Sequence, residues 1–323
     1  MSETANTANL ASKVSNEICQ WLKWQYNYAQ DMDFECSNAN HDKDTHPVDV
    51  VFYYKNPYTD KMVYLNTDLK SLKKASITTT KVRNDLRSLA MSIECAMVSP
   101  TWQDLFTIES DYDIYGLLFV FNYDGSFMAD FNESILKKID TTNLHIPKGQ
   151  PIAIFEPKTI QYLLNVVDDL KEQLRSRRLH DQNDYDFYYP NLVTAKTHSI
   201  NSYPATIETV LSPFMIIQFK NEHQNEYIVY YQEKGTTVEE FTYLIDTLGN
   251  HQLLGNHNKI EIVLNPSNSN KCLANFNAAK RSYAELWGME VNDDFFRNLS
   301  VSVLNLKHHY YDPLNERMKD EQH

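Results

Sequence analysis

Two aspartates and a lysine stand where strand geometry would bring them together. Asp68 and Lys70 flank Leu69 in MVYLNTDLK, and the upstream run VDVVFYY holds Asp49 among β-branched and aromatic neighbours. Strand side chains alternate between two faces. Asp68 and Lys70 therefore share a face with Tyr64 and Asn66, while Val63, Leu65 and Leu69 form the opposite, apolar one. Asp49 shares its face with Val51 and Tyr53. A carboxylate inside such a strand is costly unless it is paired or binds a metal. The turn-rich KNPYTDK between the runs predicts adjacent antiparallel strands, which would gather Asp49, Asp68 and Lys70 in one place. A fourth acid precedes them. Val14, Ile18, Trp21, Gln25 and Tyr28 predict a helix over residues 10–30, and Glu17 falls beside the aromatic stripe of that helix. Its head could face the sheet or stay in water at the rim.

The pattern D-x-K or E-x-K occurs three times, at Asp68–Lys70, Glu156–Lys158 and Asp169–Lys171. The third sits in a helical pattern, where positions i and i+2 diverge. The second has Pro157 between its partners, which reads as a helix start. Only the first lies in an extended segment with an acid upstream on a strand and another on a helix. A helix with Glu17, a strand opening on Pro47-Val48-Asp49, a strand ending in Asp68-Leu69-Lys70 and a following helix resemble the PD-(D/E)XK nuclease superfamily. The resemblance covers residues 10 to 125, extending toward 178.

That resemblance implies a restriction-endonuclease-like α/β (α+β) fold, a mixed central sheet flanked by helices. It also implies hydrolysis of DNA phosphodiester bonds with Mg²⁺, or Mn²⁺ as a substitute, in restriction, repair or anti-phage defence; a subunit of a bacterial defence or restriction system is the expected role. Hard Mg²⁺ prefers carboxylate oxygens and keeps several waters. Asp49, Asp68 and the backbone carbonyl of Leu69 would hold the ion, with Glu17 directly or through water. Lys70 would hold the attacking water or offset charge on the phosphorane. It could instead be a salt-bridge partner of Asp49 or Asp68 on a catalytically silent scaffold that only binds a protein or nucleic acid.

Charge supports a phosphate partner locally. The chain carries a formal net charge of −13, yet residues 61–93 hold seven basic side chains against Asp68 and Asp85. Lys73, Lys74, Lys81, Arg83 and Arg87 are the candidate nucleic-acid contacts within that excess. A solvated, lysine-rich helix face would look the same.

The elements that must position these groups follow from periodicity. Helices are predicted over 79–97, 131–139 and from Pro157, and buried strands at IYGLLFVFNYDG and PIAIFEP. Residues 1–178 would form the nuclease-like domain and 179–205, rich in Asp, Asn, Tyr and Pro, a linker or long connection. Strand–strand–helix–strand–helix–strand over 206–312 predicts a second, smaller α/β domain, with 313–323 a tail. Residues 200–323 hold 10 basic and 16 acidic side chains, which suits a homo-oligomer contact or a second protein subunit better than a DNA grip.

Other classes lose support. Only 7 glycines are present, and neither G-x-x-x-x-G-K-[ST] nor G-x-G-x-x-G occurs. No apolar run approaches the roughly 20 residues that span a bilayer, and MSETANTANL lacks signal-peptide character, so the expected location is the cytoplasm and no membrane partner is expected. Cys19, Cys36, Cys95 and Cys272 are scattered and form no C-x-x-C pair. They argue against a zinc ribbon or disulfide framework and for reduced, partly buried thiols.

Overall fold

A computed structural model describes residues 3–176, 178–179, 181–190, 202–219, 225–255, 258–265, 271–289 and 294–311. The chain divides into two compact units. One comprises Met1–Leu164 with His308–His323, the other Asn165–Lys307.

The first unit opens with helix α1 (Glu3–Trp21). It stops well short of residue 30. Lys23 takes a left-handed φ of 60°, and the amides of Lys23 and Trp24 donate back to the carbonyls of Gln20 and Cys19. That pair of bonds is the usual way a helix closes at a left-handed residue. The closure turns Trp24 onto the sheet, where it stacks on Tyr54 and Phe155, and releases Gln25–Tyr26 to form strand β1.

A hairpin of β2 (Met32–Glu35) and β3 (Thr45–Val48) follows, then β4 (Val50–Lys55) and β5 (Met62–Leu72). Helix α2 (Thr79–Ala96) is capped by the Thr78 hydroxyl, which accepts the Lys81 amide. After it come α3 (Pro100–Phe106), β6 (Tyr112–Asn122), α4 (Phe131–Ser134), β7 (Ile152–Phe155) and α5 (Pro157–Arg175). The unit boundary falls within α5.

The sheet order is β1-β4-β5-β6-β7. β1, β4 and β5 pair antiparallel; β5, β6 and β7 pair parallel. One face is covered by α2. Its Val82, Leu86, Leu89 and Ile93 join Val51, Tyr64, Leu118 and Val120 in a single core. The alternate residues Phe119 and Phe155 pack on the other face, where Trp24 lies.

In the second unit, β8 (Tyr185–Phe187) precedes α6 (Ile207–Leu211), β9 (Phe214–Phe219) and β10 (Asn225–Tyr231). Then follow α7 (Val238–Asn250), β11 (Asn258–Leu264), α8 (Cys272–Leu286), α9 (Asp294–Arg297) and β12 (Leu299–Val303). The sheet runs β12-β11-β10-β9-β8. Its parallel strands β10, β11 and β12 are separated by α7 and α8, as a parallel crossover requires.

Two expected boundaries move. The division lies at Leu164/Asn165 rather than at 178. Tyr185–Phe187, inside the expected 179–205 connection, pairs with β9 because Tyr185 and Phe187 bury their rings there. The middle of that connection, 191–201, and the expected tail at 313–323 lie outside the described residues.

Candidate nuclease site

β4 begins at Val50, so its ladder with β5 ends at the pair Val50–Thr67. β5 itself runs on to Leu72, paired only with β6 over this stretch. Asp49 therefore lies at a bend between β3 and β4, not inside a continuous strand as the sequence suggests. Its carboxylate takes over where the ladder stops: the Leu69 amide donates to Asp49 Oδ2 at 2.6 Å. The Asp31 amide donates to the Asp49 carbonyl at 3.0 Å and fixes the bend from the other side. In an extended residue the amide and the carbonyl point to the same strand edge. The Leu69 carbonyl therefore also faces the Asp49 side.

Asp68 and Lys70 share a face, as strand alternation requires, and the Lys70 ammonium donates to Asp68 Oδ1. That face looks onto α2. Asn66, one step back along the same face, donates to Ser92 at 2.8 Å and accepts from the Trp102 indole at 3.4 Å. Between β5 and α2 lies a pocket lined by Asp49, Asp68, Lys70 and a further acid, Asp85 of α2. Lys81, one turn before Asp85, holds its Oδ1 at 2.8 Å.

Asp85 was not among the candidate ligands. A signal existed, because position 85 lies on the stripe that includes 82, 86 and 89 and should face the sheet.

Electrostatics make this an unbalanced site. Burial raises the Asp49 carboxyl above the usual range, against the lowering effects of the Leu69 amide and Lys70. Burial likewise raises Asp68, with Asp49 adding to the shift and Lys70 opposing it. Asp85 is raised by burial too, and Asp68 contributes. Burial works to lower Lys70, yet Asp68, Asp85 and Asp49 together hold its proton on more tightly than usual. Three acids thus share two ammonium groups. A cation is the natural complement of such a set, and oxygen-only donors suit a hard divalent ion.

The remaining candidates are dispersed. Glu17 is half-buried on α1 and is not among the residues lining the pocket. Lys73, Lys74 and Arg87 are exposed. Arg83 is engaged elsewhere: its guanidinium donates to the carbonyls of Asp140 and Thr142 at 3.0 and 2.9 Å. The other two D/E-x-K patterns do other work. Pro157 opens α5 just after Glu156, and Asp169 accepts from the Tyr230 hydroxyl at 2.6 Å.

With that geometry in place, one comparison is decisive. Residues 1–159 match the family of the GAPS4 protein PD-(D/E)XK nuclease domain. A PD-(D/E)XK nuclease domain is shown for this N-terminal region, and with it a mixed α/β domain followed by a second domain. No curated protein and no solved structure matches the chain. Among the described residues, no helix is long and apolar enough to cross a membrane.

Proposed function

We propose that the chain is a Mg²⁺-dependent endodeoxyribonuclease, with Mn²⁺ as a substitute ion, acting as a subunit of a bacterial restriction or anti-phage defence system. The observation that carries the chemistry is the convergence of Asp49, Asp68, Asp85 and Lys70 in one pocket of a PD-(D/E)XK-type domain. Asp49, Asp68 and the Leu69 carbonyl would hold the ion, with Asp85 beside them; Glu17, outside the pocket lining, would contribute only through water. A divalent ion bound there neutralises nonbridging phosphate oxygens and acidifies a water.

Lys70 keeps its proton under the influence of three acids, which favours charge stabilisation over general-base catalysis. The exposed Lys73, Lys74 and Arg87 would carry the DNA backbone toward the pocket, joined by Lys81 and Arg83 only on release from Asp85 and from the Asp140 and Thr142 carbonyls. Residues 206–312 would supply the contact with a second copy or another subunit.

A second reading has its own observation. The Lys70 ammonium is paired with Asp68, as it would be in a silent scaffold that acts by binding. Purified protein incubated with plasmid, linear and single-stranded DNA separates the two. Cleavage with Mg²⁺ or Mn²⁺ that EDTA abolishes, and that falls by about 10²-fold or more in Asp68→Asn, supports the nuclease. Intact DNA under every metal condition supports the scaffold.

A further inference from the structure

Outside the carboxylate pocket, four other side chains converge. Cys36 directly follows β2, His41 lies in a short 3-10 turn, His46 is on β3 and Cys95 is near the end of α2. One donor atom from each lies within 4.8 Å of all the others. We propose that these residues form a closed, structural zinc site that is separate from the nuclease centre.

The distances carry the assignment. In a tetrahedral site with Zn–S of about 2.3 Å and Zn–N of about 2.0–2.1 Å, ligand atoms stand about 1.63 times the bond length apart. Two sulfurs are then about 3.8 Å apart, two nitrogens about 3.3–3.4 Å and a mixed pair about 3.5–3.6 Å. Cys36 Sγ and Cys95 Sγ are 3.7 Å apart, and His41 Nδ1 and His46 Nε2 are 3.4 Å apart. His41 Nδ1 lies 3.5 Å from Cys36 Sγ and 3.4 Å from Cys95 Sγ. A disulfide would bring the two sulfurs to about 2.05 Å. Thiols and imidazoles make weak hydrogen bonds to one another, so a cluster of four gains little without a metal.

The surroundings fit. His46 and Cys95 are almost fully buried. His41 turns its second ring nitrogen, Nε2, to Glu94 Oε2 at 3.0 Å, the carboxylate support that orients a metal-binding imidazole. The Ser37 amide points at Cys95 Sγ at 3.4 Å, as amides do toward thiolates. Two cysteines and two histidines are the donor set of structural zinc, whereas the three acids of the nuclease pocket suit a hard ion.

The spacing Cys36-x4-His41-x4-His46 is visible in FECSNANHDKDTHP, but the fourth ligand is far along the chain. For that reason the scattered cysteines conceal the set. The site would also have a consequence for the nuclease centre. His46 is three residues ahead of Asp49, and Cys95 shares α2 with Asp85. A zinc ion would therefore clamp together the two segments that bring these acids to the pocket.

The test is elemental analysis of the purified full chain, with cobalt as a spectroscopic probe. About one zinc per chain is expected, retained through dialysis against Mg²⁺ and in Asp68→Asn. Cobalt exchanged into the wild-type protein should show the sulfur-to-metal charge-transfer band and strong visible bands of a tetrahedral thiolate site. Cys95→Ser and His46→Ala should lower metal content by about tenfold or more, while Cys272→Ser keeps it. Should both variants fail to fold, the wild-type zinc content and cobalt spectrum still decide the matter. A wild-type protein that holds no zinc and gives no such cobalt spectrum would overturn the site. So would a Cys36–Cys95 disulfide found by mass spectrometry, or zinc that persists in Cys95→Ser.

Discussion

At the scale of single residues, the pocket trades stability for charge. Burial raises Asp85 above its usual pKa against the opposing pull of Lys81 and Lys70, and Asp68 adds to the rise. A group with a raised folded pKa favours the protonated form, so its ionisation costs stability as pH rises through that pKa. Asp85→Asn should therefore raise the metal-free melting temperature at pH 7, by about 2 °C or more. It should also blunt the further rise on adding Mg²⁺. Calorimetry with and without metal measures both, and a lower melting temperature in EDTA would speak against the strain. The acids at 49 and 68 were legible because strand alternation and the D-x-K spacing are local. Asp85 was hidden because an acid on a helix stripe gains meaning only when the facing strand is known. The same limit hid Cys95, whose partners lie on another element.

At the scale of elements, β5 and α2 must be held together while three acids between them repel. Asn66 is buried, and it joins β5 to Ser92 of α2 and to Trp102 of α3. Asn66→Ala leaves the Ser92 hydroxyl and the Trp102 indole without that partner. The expected loss is about 1–3 kcal/mol, read from the denaturant midpoint at unchanged slope. A neutral result would mean that packing alone positions α2. Periodicity found the long helices and buried strands of both units, since each must bury one face. It missed β1, β2, β3 and β8 because short strands carry too few residues to show a period. The overlong first helix has a similar origin: Gln25 and Tyr28 extend a helical pattern that the left-handed Lys23 ends.

At the scale of the whole molecule, the two units do not follow a simple cut in the chain. His309 and Tyr311 donate their amides to Gln161 and Tyr123 within the first unit. Assembly is therefore better tested on the full chain than by truncation. Leu286 and Trp287, at the end of α8, are exposed at 77% and 59%. Light scattering should give a mass above the 37.8 kDa of one chain, alone or mixed with the product of a neighbouring gene. Leu286→Ser with Trp287→Ser should reduce that mass while the variant still unfolds cooperatively. A monomer under both conditions would contradict an assembly role. The central claim, that this pocket cuts DNA, rests most directly on Lys70. The decisive measurement is the Mg²⁺-dependent cleavage rate of full-length Lys70→Met, with melting temperature and DNA affinity taken on the same preparation. A folded variant that binds DNA normally but cleaves about 10²-fold more slowly or worse is the predicted result. A folded Lys70→Met protein that cleaves at the wild-type rate would contradict it.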